Sequence, residues 1–225
     1  MATANVPEIY YPASDGQPMG ETGWHVTALH YLLGALRIRY ARWPDVYVGS
    51  NMFLYYVEGQ PSKCKAPDLM VCFGVRGNHE RSVFKVWEEG VVPAIVIEVS
   101  SRETFREDVD RKSEVYAQLG VAEYFLYDPL GGLLDWPLLG FRLSGSEYEA
   151  MPHEDDDGLN SAVLGLRLVP EGSLLRLADP ITRELLPTDL ETHEQLQEER
   201  RRNDALVAEV ERLRRLLERR GEDQG

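Results

Sequence analysis

The run Val91 to Ser100 constrains this chain more than any other stretch. It is apolar on both faces of an extended chain, and such a strand has to be covered above and below. That places it at the centre of a sheet. Its one ionisable residue, Glu98, shares a face with Ala94 and Val96. A lone carboxylate is costly to bury, so Glu98 needs a partner. The run is about half the length of a membrane helix, and Pro93 and Glu98 break it.

Other elements arrange themselves around that strand. A helix is expected from near Glu21, with Val26, Leu29, Leu33 and Leu36 as its buried stripe, closed by Tyr40 and Trp43 and stopped at Pro44-Asp45. Strands are expected at Tyr47–Val48, Met52–Val57, Leu69–Val75 and Ser82–Trp87. A helix from about Arg106 to Leu119 ends at Gly120, and Tyr124–Tyr127 follows as a buried strand. Strand–helix–strand order predicts a parallel pair there. Short strands and turns fill Leu133 to Ile181, with a hairpin at Ser144-Gly145-Ser146.

The tail differs in kind. From Asp189 onward there is no proline and no aromatic residue. Leu196, Asn203, Val210 and Leu217 form one heptad row, and Leu206 and Leu213 the other. Glu199 interrupts the second row, while Asn203 in the first favours a dimer. The reading is therefore a domain over residues 1–187 and a charged helix over 188–225, a candidate coiled coil.

Composition narrows the function classes. The chain has 225 residues and a net charge of −14, which disfavours coating nucleic acid through bulk positive charge. Only Cys64 and Cys72 are present, too few for a disulfide framework or a four-cysteine zinc site. Met1 to Gly20 has no apolar secretion core. A cytoplasmic protein with no membrane segment is expected.

The chemistry-bearing set is Asp68, Glu98, Asp108, Lys112 and Tyr116. Asp68 opens one strand and Glu98 lies near the end of another. Antiparallel pairing of those strands would bring the two carboxylates to one sheet edge. Asp108, Lys112 and Tyr116 are four apart and share one helix face. Two carboxylates can hold a divalent cation, Mg²⁺ or Mn²⁺, that polarises a phosphoryl oxygen and activates water. Lys112 would orient that water or offset charge on the phosphate. Glu21 is a candidate additional acidic contact, and Asp108 and Tyr116 are candidate supporting residues. On residues alone a blander account stays open: Asp68 as a turn residue, and Glu98 paired with Lys112 or an arginine.

A longer set of motifs carries a resemblance. Ala66-Pro67-Asp68-Leu69, Val86-Trp87-Glu88-Glu89-Gly90, Ile97-Glu98-Val99-Ser100-Ser101, then Asp108, Lys112 and Tyr116, then Gly120 through Asp128-Pro129, resemble the Uma2 family of restriction-endonuclease-like proteins. Tyr11 to Glu21, Leu139-Gly140-Phe141-Arg142-Leu143 and the charged tail fit the same resemblance, which spans nearly the whole chain. It implies a mixed α/β sheet flanked by helices: the PD-(D/E)XK nuclease fold, here with extra hairpins and a C-terminal helix. It further implies a metal-dependent DNA endonuclease, with Asp68 and Glu98 as motif acids and Glu21 as the first helix's acid. The lysine expected two residues after Glu98 is replaced by Ser100, and the next helix supplies Lys112 instead. DNA and a second copy of the chain are the expected partners. The alternative is a catalytically silent scaffold that binds a protein through its C-terminal helix.

Other motifs carry less. His153 to Gly158 reads as a solvated acidic loop, and Arg200-Arg201-Arg202 as a solvated helix face. The five histidines show no zinc spacing, and His25 reads as a packing or surface residue. Lys63, Lys65, Arg102, Arg106 and Arg111 could form a local basic rim.

Overall fold

The structure is a computed structural model that describes residues 9–14, 22–101, 111–153 and 156–222, with side chains up to Arg215. Glu21, Arg102, Arg106 and Asp108 lie outside the described residues. In chain order the elements are α1 (Gly23–Arg39), β1 (Val46–Ser50), β2 (Leu54–Tyr55), β3 (Cys64–Lys65), β4 (Leu69–Phe73), β5 (Phe84–Lys85), α2 (Val86–Glu89), β6 (Ile95–Val99), α3 (Ser113–Leu119), β7 (Glu123–Tyr127), β8 (Leu138–Ser144), β9 (Glu147–Ala150), β10 (Leu159–Ser161), β11 (Leu166–Glu171), β12 (Leu174–Ala178) and α4 (Asp189–Glu222). The chain divides into two compact units, Met1–Leu186 and Pro187–Gly225.

The first unit is built on a six-stranded sheet ordered β1-β4-β6-β7-β8-β9. Only β6 and β7 run parallel; the other pairs are antiparallel. The strand read as central, β6, is interior and has all five residues buried. Its two faces enter different cores. Ile95, Ile97 and Val99 join Leu32 and Leu36 of α1 and Leu168 and Leu177 of the β10-β11-β12 sheet. Val96 joins Met70, Cys72, Tyr124 and Leu126 beneath Tyr116 of α3. Layers on both sides are why this strand carries apolar residues at successive positions.

α1 starts where Thr22 Oγ1 accepts the His25 amide at 3.3 Å. Its buried residues are Ala28, Leu29, Tyr31, Leu32, Ala35 and Leu36, and Val26 is exposed. Leu29 and Leu36 of the expected stripe are buried, while Ala28, Leu32 and Ala35 take the place that Val26 was expected to hold. Trp43 is exposed as well, edge-on to buried Tyr40. The expected strands at Met52–Val57 and Ser82–Trp87 shorten to β2 and β5 of a three-stranded β3-β2-β5 sheet. Trp87 lies in the single helical turn α2, which Gly90 closes at φ 73°. The Ser144-Gly145-Ser146 turn joins β8 to β9 as expected.

The second unit is α4. Thr188 and Glu191 form a reciprocal capping box, with N–H···O distances of 2.7 and 3.2 Å. Glu198–Arg202 and Glu211–Arg215 pair at i,i+4 along it. Leu196, Leu206, Val210 and Leu213 are exposed. No helix of the described residues is long and apolar enough to cross a membrane.

Candidate metal and catalytic site

The β4–β6 register decides the site. Leu69 pairs with Ile97, so Asp68, one residue earlier, meets Glu98, one residue later. The strand entry at Pro67-Asp68 is held by Asn51, whose amide lies 3.1 and 3.2 Å from the Pro67 and Asp68 carbonyls. Asn51 does this at φ 49°, a left-handed conformation that asparagine tolerates better than most residues.

The two acids lock across the strands. The Asp68 amide donates to Glu98 Oε2 at 3.1 Å, and the Val99 amide donates to Asp68 Oδ2 at 2.7 Å. Glu98 is fully buried. Lys112 Nζ donates to its Oε2 at 3.0 Å, and the Tyr116 hydroxyl donates to its Oε1 at 2.9 Å. Burial pushes the Tyr116 phenol well above its ordinary range, and the Glu98 charge adds to that. The phenol therefore keeps its proton and acts as donor. Asp68, Glu98, Lys112 and Tyr116 are thus one cluster.

Lys112 reaches Glu98 from a helical backbone, φ −72° and ψ −42°: residues 111–112 are π-helical and run directly into α3, while the earlier part of the expected helix, 106–110, lies outside the described residues. Ser100 is buried, and its hydroxyl has no hydrogen-bond partner among the described residues. Arg111 is exposed. The sequence reading missed His25: its Nε2 lies 3.4 Å from Asp68 Oδ2. Histidine spacing carried no sign of this. The usable signal was the Thr22 cap, which fixes the first turn of α1 as the turn that meets Asp68.

The donor set suits a hard cation. Asp68 Oδ1 takes no hydrogen bond among the described residues, while Oδ2 accepts the Val99 amide and lies 3.4 Å from His25 Nε2. Mg²⁺ binds through one or two carboxylates and keeps several waters, so Asp68 and Glu98 suffice as protein ligands. A group of three or more His, Cys, Asp or Glu placed for a metal is absent among the described residues. In the acidic loop, exposed Asp156 pairs with buried Arg167 and accepts the Gly158 amide at 3.0 Å.

A family model described as "Uma2: Putative restriction endonuclease" matches residues 8–171. A crystal structure of a "putative nuclease belonging to DUF820" from Anabaena variabilis ATCC 29413 is similar at 16% identity and a TM-score of 0.49, over 71% of this chain and 86% of that one. No curated protein matches the chain.

Proposed function

The chain belongs to the Uma2 family of restriction-endonuclease-like proteins, and from that premise we propose that it is a metal-dependent DNA endonuclease. Its fold is the mixed sheet flanked by helices that the family implies. One observation carries the reading: Asp68 and Glu98 are cross-bonded on adjacent strands with Lys112 3.0 Å from Glu98. An ion pair alone would satisfy a buried Glu98. A second carboxylate with an unbonded oxygen beside it goes beyond that need.

In this reading Asp68 and Glu98 hold Mg²⁺ or Mn²⁺. The ion, when bound, supplies polarisation of a phosphoryl oxygen and a water of lowered pKa. The Val99 amide fixes the Asp68 carboxylate, and Tyr116 fixes Glu98. Lys112 keeps a positive charge where negative charge grows on the phosphate. Water is largely excluded there, so that charge acts strongly.

The test is nicking of supercoiled plasmid by purified protein. Cleavage with Mg²⁺ or Mn²⁺, abolished by EDTA and by Asp68→Asn, is expected. EDTA-insensitive cleavage, or none of any DNA with either ion, would overturn the reading.

The exposed row on α4 supports a second element. Leu196, Leu206, Val210 and Leu213 follow the heptad with Asn203, which suits pairing with a second copy as a coiled-coil homodimer. Sedimentation of the full chain against Leu206→Asp/Val210→Asp tests it, with monomerisation of the variant expected. A silent scaffold recruiting another protein would use the same row. Cys64 and Cys72 form no disulfide, which supports a cytoplasmic setting.

A further inference from the structure

A pocket of about 170 Å³ opens at the C-terminal ends of the parallel pair β6 and β7. Ligands of open α/β sheets sit in this position. Its walls include His25, Ser100, Pro129, Leu130 and Leu133. His25 is also the residue 3.4 Å from Asp68, so the pocket adjoins the candidate metal carboxylate.

The loop that forms it is built in advance. Asp128, itself buried, accepts the amides of Leu130, Gly131, Leu133 and Leu134. Four amides on one carboxylate fix the loop, with Gly131 and Gly132 at φ 70° and 94°. That carboxylate is satisfied by its own loop. No Lys or Arg lines the pocket among the described residues.

These facts select a ligand class. The pocket's volume is below the roughly 300 Å³ of a drug-sized site, so it takes one small group. Apolar walls beside the unpartnered Ser100 hydroxyl suit a flat neutral ring with a polar edge. Building on the nuclease reading, we infer that this pocket receives one unpaired nucleobase next to the scissile phosphate. The substrate is then single-stranded or locally opened nucleic acid, because a base inside an intact duplex cannot enter a pocket. Charge agrees: a chain of net −14 repels a duplex, with one phosphate per about 1.7 Å, more than a single strand.

The experiment is fluorescence anisotropy of the full chain in Ca²⁺. The probes are a labelled DNA oligonucleotide, the same sequence as RNA, and its DNA duplex. Single strands should bind about tenfold tighter than the duplex. The DNA and RNA arms distinguish which strand supplies the base. Ser100→Ala and Leu130→Ala should each remove most of the preference while leaving duplex affinity unchanged. Both keep the fold, since the Ser100 hydroxyl has no partner among the described residues and Leu130 is exposed. Equal affinity for strand and duplex, or equal loss on both, would overturn the pocket. Plasmid cleavage on the same preparations separates the two readings. Cleavage without strand preference removes only the pocket, and strand preference without cleavage removes only the nuclease.

Discussion

Glu98 and Glu123 stand on neighbouring strands of one sheet, both buried, at opposite ends and on opposite faces. Each must replace its lost hydration, and each does so differently. Glu123 accepts the Ser161 hydroxyl at 2.5 Å, the Ala162 and Val163 amides at 3.0 and 3.4 Å, and Arg142 at 3.3 Å. Its partners are mainly one turn after β10, so it ties the second sheet to the first. Glu98 draws on the β4 entry, Lys112 and Tyr116, and sits beside a second carboxylate. Burial of an acid is therefore no mark of a site by itself. What sets Glu98 apart is the adjacent Asp68, whose Oδ1 takes no hydrogen bond among the described residues.

Variants at the two glutamates should part sharply in cleavage, which is the largest expected effect. Glu98→Gln and Lys112→Met should each lower the plasmid nicking rate by about 10²–10³ per folded molecule. Glu123→Gln should leave it unchanged. A rate loss in Glu123→Gln matching that in Glu98→Gln would erase the distinction.

Stability should report the opposite ranking of roles. Glu123→Ala strands the Ser161 hydroxyl and two amides, costing about 3 kcal/mol in urea unfolding with cleavage per folded molecule intact. Tyr116→Phe removes one hydrogen bond to a buried charge, costing about 2 kcal/mol, and should also slow cleavage. An unaffected rate in Tyr116→Phe would mean that Glu98 needs no such orientation.

Alkaline pH gives the smallest effect and sharpens the comparison, because no tyrosine holds Glu123. Burial raises Tyr116 and pushes Tyr127 up to about 12 from 10.0. A group with a raised folded pKa contributes fully below its unfolded pKa and loses that contribution as pH climbs toward the folded one. Stability should hold to about pH 10 and fall between 10 and 12. Denaturant midpoints read beside tyrosinate absorbance check this.

The part of the fold legible in sequence is the part set by local pattern. Two-faced apolarity placed β6 inside the sheet, and alternation put Glu98 on the face that later met Tyr116. Proline before Asp68 and glycine at 120 marked element ends that the structure keeps. Val26 misled because the buried face of α1 includes Ala28 and Ala35, which are weak in any hydrophobic pattern. Trp87 misled because one helical turn at α2 is too short to show a period. At the site, the Asp68–Glu98 meeting followed from strand direction. The Lys112 reach was anticipated in partner and in its helical backbone, and the expected helix before it, 106–110, lies outside the described residues. His25 was missed because its contact with Asp68 joins the first turn of α1 to the entry of β4, far apart in the chain, and the Thr22 cap marks only the turn.

The proposed metal site is Asp68 with Glu98, and not the equally buried Glu123. Calorimetric titration of Mn²⁺ into the full chain tests it most directly, alongside Asp68→Asn, Glu98→Gln and Glu123→Gln. The account predicts one site in the unaltered chain and in Glu123→Gln, absent from the other two variants. Identical Mn²⁺ binding in all four proteins, or none in the unaltered chain, would contradict it.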